Sequence, residues 1–159
     1  MVCLDTHVII WGIKGEATQG QGEMVQRAKS YIRHQDEQGV DLMVPAPVVA
    51  EAMIRGDVDQ LRTIRTIIER SFFIAAFDSP AAFTAAELER GRGVAKLLEE
   101  GKAPRSHIRI DAQIAAIAIV QNAEEIISHD PHMRTVAQNR IPVIELPDIP
   151  EQGNLQFPQ

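Results

Sequence analysis

Residues 109–133 read RIDAQIAAIAIVQNAEEIISHDPHM and contain a helical pattern, a short apolar run and an acid, in that order. The spacing of the apolar residues predicts a helix over residues 107–122, and the run at 126–127 predicts a buried strand. Asp130 follows this strand and precedes Pro131. A helix that leads into a buried strand is typical of a fold in which the two elements alternate.

The same alternation extends over the rest of the chain. Apolar runs predict five strands, at residues 2–4, 42–44, 72–77, 126–127 and 143–146. Helical spacing separates them, at residues 24–38, 48–55, 58–69, 80–100, 107–122 and 131–139. We therefore predict an α/β fold, a three-layer α/β/α sandwich with a central, mostly parallel sheet of about four to five strands joined by right-handed crossovers.

Length and composition indicate one folded domain. The chain has 159 residues, which is within the usual size of a single domain, and 45% of them are hydrophobic. We expect the domain over residues 1–146 and an extended tail over residues 147–159, which contain three prolines and no periodicity. Residues 12–22 are rich in glycine and polar residues, and we expect them to form a mobile loop beside the ligand-binding edge of the sheet.

The sequence carries no sign of export or of membrane insertion. Cys3 is the single cysteine, so that no intramolecular disulfide and no cysteine zinc cluster can form. The N-terminus has neither a basic leader nor a small-residue cleavage site. The longest apolar stretches, such as residues 114–120, are far shorter than the ~20 residues of a membrane-spanning helix. We expect a soluble, cytoplasmic protein that does not bind membranes.

The net charge of -6 argues mildly against a nucleic-acid partner, because phosphate binding usually requires a basic surface. Acids that are gathered in a metal site would nevertheless count as negative in this sum while bound cations neutralise them. The local distribution of charge is therefore a better guide to nucleic-acid binding than the net charge.

Two acids follow predicted strands. Asp5 ends the first strand and Asp130 follows the strand at 126–127. In open parallel sheets ligands bind beyond the carboxyl ends of the strands, which is where both acids are expected. Each acid also suits a simpler role, since Asp5 before Thr6 and Asp130 before Pro131 are good helix N-caps. The two roles are compatible.

Two further acids lie on predicted helices. Asp111 has the apolar helical neighbours Ile108, Ile114 and Ala115, and a carboxylate in such surroundings must either meet a cation or take up a proton. Glu51, in PAPVVAEAM, could equally be a solvated helix glutamate. Together, four separate carboxylates suit hard cations that prefer oxygen ligands, such as Mg²⁺ or Mn²⁺.

Four segments, in their order and spacing, resemble the PIN-domain nucleases and in particular the VapC-like toxins: LDTHVIIW, VVAEAM, RIDAQIAAIAI and ISHDPHM. The resemblance covers nearly the whole chain. In that family an Asp-Thr-Ser or similar tripeptide ends the first strand and a glutamate lies on a helix after the second. An Asp also opens an Ile-Ala-Ala helix, and a Thr-x-Asp turn follows the fourth strand. Asp5, Glu51, Asp111 and Asp130 match these acids one by one.

The sequence departs from the family pattern at three positions. His7 stands where Ser, Thr or Asn is usual, and Ser128 replaces the threonine two residues before the last acid. Met133 stands where a phenylalanine is common, which is a volume-tolerant change. No change removes an acid, and both His7 and Ser128 can still form hydrogen bonds.

The resemblance implies a central parallel sheet and a divalent-metal-dependent endoribonuclease that hydrolyses RNA phosphodiester bonds with a metal-activated water. Mg²⁺ or Mn²⁺ would be the cofactor. Asp5 and Asp111 would be the core metal ligands, and Glu51 and Asp130 would complete the site directly or through water.

The resemblance also implies supporting residues and partners. Thr6 and Ser128 would orient the ligands or the scissile phosphate. The protein would be the toxin of a toxin–antitoxin pair, with RNA as its substrate, an antitoxin protein as a candidate partner and a homodimer as its oligomeric state.

Three other functions stay open on the residues alone. A catalytically idle PIN-like module would bind RNA or a protein without cleaving either. A phosphohydrolase with a nucleophilic Asp5 would usually have a second Asp two residues later, where this chain has His7. Dinucleotide binding is disfavoured because Gly20–Gln21–Gly22 lacks a third glycine and follows a long loop.

Other polar residues have more than one interpretation. His7, His129 and His132 lie near the predicted acids and could indicate a softer metal, although turn residues or phosphate contacts are favoured because no helical histidine pair has ligand spacing. Six basic residues could follow an RNA backbone or form a solvated helix face. They are Arg90, Arg92, Lys96, Lys102, Arg105 and Arg109.

Overall fold

A computed structural model describes residues 1–149 of the chain, in which a five-stranded sheet forms the centre. The strands are β1 (Val2–Leu4), β2 (Leu42–Pro45), β3 (Phe73–Ala75), β4 (Glu125–Ile127) and β5 (Val143–Ile144). They are arranged in the order β3-β2-β1-β4-β5, and every neighbouring pair is parallel. The predicted α/β architecture is confirmed, with a sheet that is entirely parallel.

Helices flank this sheet. They are α1 (Thr6–Ile9), a π-helix (Ile10–Lys14), α2 (Gly22–Glu37), α3 (Ala46–Ala52), α4 (Val58–Ser71), α5 (Ser79–Glu89), α6 (Arg92–Glu99), α7 (Arg105–Val120) and α8 (Met133–Ala137). Local sequence sets several of their starts. Asp57 and Gln60 form a capping box at the beginning of α4, and the Asp78 side chain caps α5.

The strand order places a ligand-binding crevice beside β1. From β1 the chain crosses to β2 on one side, and β4 later pairs with β1 on the other side. Parallel sheets bind ligands at such a reversal, outside the carboxyl ends of the strands. Asp5 directly follows β1, and Ser128 directly follows β4.

The core contains few polar residues. The three inner strands are almost completely buried, and Ile108, Ile114 and Ile117 on α7 are at most 1% exposed. Within residues 1–149 the buried polar or charged residues are Asp5, Asp111 and Ser128. Burial of these polar groups is costly, so their presence in the core needs a local explanation.

The predicted helix over residues 80–100 is wrong, because the chain breaks there into α5 and α6. Gly91 separates the two helices with an extended backbone, at φ -62° and ψ 145°. A Cβ atom at this position would lie 2.1 Å from Nε2 of Gln138, and that amide donates a hydrogen bond of 2.6 Å to the carbonyl of Leu88 at the end of α5. The side chain of Gln138, the residue after α8, therefore occupies the space beside Gly91 and bonds to the end of α5.

The predicted loop over residues 12–22 is too long. Its first residues belong to the π-helix, which ends at Gly15 with φ 68°, and α2 begins at Gly22. Gly12 lies inside the π-helix, and a Cβ atom there would lie 2.5 Å from Cδ1 of Ile32 on α2. This glycine serves close helix packing, and the loop is limited to residues 15–21.

No helix within the described residues is long and apolar enough to cross a membrane. The predicted tail at 147–159 lies largely outside the described residues, which end at 149.

Candidate active site

Asp5 lies at the carboxyl end of β1, where it is 3% exposed. Its Oδ1 atom accepts a hydrogen bond of 2.7 Å from the backbone N–H of Thr6, so Asp5 is the N-cap of α1. Its Oδ2 atom accepts a hydrogen bond of 2.5 Å from Oγ of Ser128, which follows β4. Asp5 therefore caps a helix and also joins the ends of the two central strands.

Burial raises the pKa of Asp5 above its ordinary value. The hydrogen bonds from Ser128 and Thr6 favour the ionised form and lower the pKa in part, whereas the charge of Asp130 raises it. This carboxyl group needs a stronger positive partner than hydrogen-bond donors if it is to stay charged.

Within residues 1–149, Asp111 is a buried acid that no hydrogen bond or ion pair compensates. It lies on α7, is 7% exposed, and its buried Oδ2 atom has no hydrogen-bond partner. The ion pairs found within residues 1–149 do not include it. Burial, together with the charges of Asp130, Asp5 and Glu51, raises the pKa of Asp111 to about 8. The carboxyl group of Asp111 has no structural partner and is thus suited to bind a cation.

Glu51 and Asp130 are held by neighbouring donors. Glu51 lies in α3, and its Oε2 atom accepts a hydrogen bond of 2.5 Å from Oγ1 of Thr6. The backbone N–H of Asp130 donates to Oγ of Ser128 at 3.0 Å, while its Oδ1 atom accepts from the N–H of His132 at 2.7 Å. The N-cap role that also suited Asp130 in the sequence is not taken, because the last helix begins at Met133 and Asp130 stabilises the preceding turn instead.

All four predicted acids and Thr6 line one cavity of about 740 Å³. Ser128 does not line the cavity but forms hydrogen bonds with Asp5 and Asp130. Within residues 1–149, no three histidine, cysteine, aspartate or glutamate side chains are grouped closely enough to hold a metal ion as they stand. Carboxylates without a counter-ion repel one another, so a bound cation is expected to draw them together.

The donor set fits a divalent cation. Carboxylate oxygens are the ligands that Mg²⁺ and Mn²⁺ prefer, and Asp111, which lines the cavity, has a buried Oδ2 atom without a partner. In the metal-free protein the pKa of about 8 keeps Asp111 protonated at neutral pH with this oxygen unpartnered, and a bound cation would supply the missing partner.

The cavity also contains basic residues that the sequence did not single out as site residues. Lys14 is 5% exposed, donates to the carbonyl of Arg55 at 3.1 Å and forms an ion pair of 3.2 Å with Glu16. Arg55 and His107 line the same cavity. Lys14 was missed because residues 12–22 were interpreted as a loop. Arg55, four residues after Glu51, and His107, four residues before Asp111, share a helical face with those acids in the sequence pattern.

The predicted histidine cluster is divided by the fold. His7 lines the cavity, whereas His129 and His132 do not. Nε2 of His129 accepts a hydrogen bond of 3.1 Å from the backbone N–H of Leu146. Its ring packs edge-on against Trp11, and burial lowers its pKa. His129 therefore has a structural role.

The predicted basic interval is a solvated surface. None of its six residues lines the acidic cavity. Lys96 and Lys102 form ion pairs with Glu100, and Arg109 forms one with Glu89. The positive charges beside the acids come from other residues, as described above.

Comparison with known proteins agrees with this geometry. A family model described as the PIN domain matches residues 2–139. The chain belongs to the PIN domain family. A search of curated protein sequences found no match to this PIN domain.

A solved structure resembles this PIN domain over most of its length. It is the VapBC2 complex from Rickettsia felis bound to a DNA fragment from their promoter, of which one chain aligns with a TM-score of 0.66 and 15% identity. The alignment covers 92% of the PIN domain chain and 100% of the other chain. At this identity the likeness establishes the fold.

Proposed function

We propose that this PIN domain is a divalent-metal-dependent endoribonuclease and that Asp5, Glu51, Asp111 and Asp130 hold its metal ions. The single observation that carries the proposal is Asp111, whose buried Oδ2 atom has no partner although the residue lines a cavity together with Asp5, Glu51 and Asp130. A structural acid would be paired, because an unpaired buried carboxylate destabilises the fold.

Mg²⁺ or Mn²⁺ is the proposed cofactor, held by Asp5 and Asp111 with Glu51 and Asp130 completing the site directly or through water. Such an ion lowers the pKa of a water molecule and offsets the negative charge that develops on a phosphodiester during hydrolysis.

Two hydroxyl side chains position the acids. Ser128 donates to Asp5 and accepts from the N–H of Asp130, so one oxygen fixes the relative position of both acids. Thr6 donates through its N–H to Asp5 and through its hydroxyl to Glu51, and so links β1 to α3. Asp111 stays free of such bonds and is available to a ligand.

Positive groups around the acids support a phosphate-containing substrate. Lys14, Arg55 and His107 line the cavity together with the acids. Basic side chains that surround the acids would hold the flanking phosphates of an RNA strand while the carboxylates hold the ions. The overall charge of -6 is therefore compatible with an RNA substrate.

We further propose that the protein is the cytoplasmic toxin of a toxin–antitoxin pair, with an antitoxin protein as its partner and a homodimeric state. The VapC-like sequence segments and the fold shared with a chain of the VapBC2 complex support this role. The catalytic unit would span residues 1–146, followed by a tail at 147–159.

An RNA-binding module without activity is the alternative, and one comparison separates it from the nuclease. Cleavage and binding of single-stranded RNA are measured for the wild type and for Asp5→Asn in the presence of Mn²⁺. The nuclease requires that the variant loses cleavage by about a hundredfold or more while the wild type loses it in EDTA. A wild-type protein that binds RNA equally in EDTA and cleaves it in neither buffer would establish the inactive module.

A further inference from the structure

The cavity has an apolar lining that metal ions and phosphates do not need. Ile10, Trp11, Ile54 and Ile110 line it together with the acids, and Ile54 is 75% exposed. Exposed apolar surface beside a charged site is unfavourable in water unless a ligand covers it. The volume of about 740 Å³ leaves room for more than an ion and a phosphate.

His7 lies between the acidic and the apolar residues in the chain, two residues after Asp5 and three before Ile10. Its side chain is exposed, lines the cavity and forms no hydrogen bond within residues 1–149. Hydrogen bonding within the described residues therefore does not account for an imidazole at this position.

The rings of Trp11 and His129 pack in sequence behind one another and support the His7 ring. The ring centroids of His7 and Trp11 lie 5.5 Å apart with an angle of 34° between the planes. Trp11 is 3% exposed and is contacted edge-on by His129 at 5.2 Å, and His129 is itself held by the N–H of Leu146. Because one side of His7 is packed on a buried indole, its other side is held ready for a planar ligand at low entropic cost.

We propose that His7, supported by Trp11, stacks on a nucleobase next to the scissile phosphate, so that this PIN domain binds RNA through a base as well as through its backbone. The inference rests on the proposed ribonuclease function. Single-stranded RNA exposes its bases to aromatic side chains, histidine included, and stacking accepts any base because each has a π-face. His7 is thus a positioning residue for the substrate strand.

The test measures RNA binding in an Asp111→Asn background, in which the strand stays intact. The probes are a short single-stranded RNA and a series of the same oligonucleotide with an abasic ribose at each position in turn. His7→Ser should weaken binding of the intact RNA by roughly tenfold to a hundredfold, as the loss of one stacked base does. His7→Phe, which keeps a stacking ring and removes the hydrogen-bonding nitrogens, should bind within about twofold of the parent.

The abasic series separates stacking from other roles. At one abasic position the parent should lose the affinity that His7→Ser loses, and His7→Ser should add nothing there, because the two changes remove the same contact. The proposal is overturned if His7→Phe binds as weakly as His7→Ser, or if His7→Ser weakens every abasic RNA equally, since both results indicate a phosphate contact.

The outcome also distinguishes the two proposals. RNA cleavage by the wild type together with unchanged RNA binding by His7→Ser overturns the stacking role and leaves the ribonuclease function intact. A wild type that neither binds nor cleaves RNA with Mn²⁺ overturns both, and then a protein segment becomes the occupant of the apolar lining.

Discussion

Replacing Asp111 with Asn should stabilise the metal-free protein, although it removes a metal ligand. The pKa of Asp111 is about 8 in the folded protein, against an ordinary value of 3.8. Because the pKa of Asp111 is raised in the folded state, the folded protein keeps the carboxyl proton over a pH range in which the unfolded chain has lost it. The free energy of unfolding therefore falls as the pH rises between these two values, by about 1.4 kcal/mol per pH unit.

The size of the effect follows from these values. At pH 7 the wild type lies about 3 units above the ordinary pKa of the group, which corresponds to a destabilisation on the order of 4 kcal/mol. Asn carries no charge but still buries an amide that lacks a partner, which costs about 1–3 kcal/mol. Asp111→Asn should thus be about 1–3 kcal/mol more stable than the wild type near pH 7.

Urea unfolding in EDTA, at several pH values from about 5 to 8, measures this difference. The advantage of Asp111→Asn should grow with pH by about 1.4 kcal/mol per unit, whereas the control Asp59→Asn should show no such trend. Asp59 suits the control because its side chain is 91% exposed. A variant that is less stable than the wild type by about 3–5 kcal/mol at every pH would refute the reasoning, since that is the result of breaking a buried ion pair.

Three other changes give independent checks. Mn²⁺ should raise the melting temperature of the wild type, because a ligand of the folded state stabilises it by mass action, but not that of Asp111→Asn; equal shifts in calorimetry would contradict the site. Ser128→Ala should lower the free energy of unfolding by about 1–2 kcal/mol and raise the pKa of Asp5 further, seen by NMR titration, since the lost hydrogen bond favours the ionised form. Gly91→Ala should destabilise by about 0.5–1.5 kcal/mol, because the Gln138 side chain must move and lose its hydrogen bond to the Leu88 carbonyl, whereas Gly22→Ala, with no atom within 4 Å of the new Cβ, should be neutral or slightly stabilising; equal thermal stability of the two would contradict the packing argument.

The sequence predicted the sheet because local apolar runs report burial. The residues of β1, β2 and β4 stand out as apolar segments without reference to the rest of the chain. The break at Gly91 was missed although Gly91 and Gly93 are a local signal against a helix interior, and the contact of Gly91 with Gln138, which is distant in sequence, forms only in the folded protein.

In the candidate site, too, the sequence indicated the residues that have a local signal and missed those that depend on the tertiary fold. Asp111 stands out in the sequence because an acid among apolar helical neighbours has a local cost. The contribution of Lys14 was not predictable, since its contact with the Arg55 carbonyl forms only in the tertiary fold, whereas the spacing of four residues from Glu51 was a local signal for Arg55. The packing of His7 on Trp11 has a local sequence signal, the spacing of four residues, but the fixing of Trp11 by His129 has none.

The rate of RNA cleavage as a function of Mn²⁺ concentration tests the central claim most directly. It is measured under single-turnover conditions for the wild type, Asp111→Asn and the exposed control Asp59→Asn. The wild type and Asp59→Asn should give the same saturating curve, and Asp111→Asn should be slower by about a hundredfold or more at every concentration. A wild-type rate in Asp111→Asn, or a wild-type rate that persists in EDTA, would contradict the assignment of these acids as the metal site.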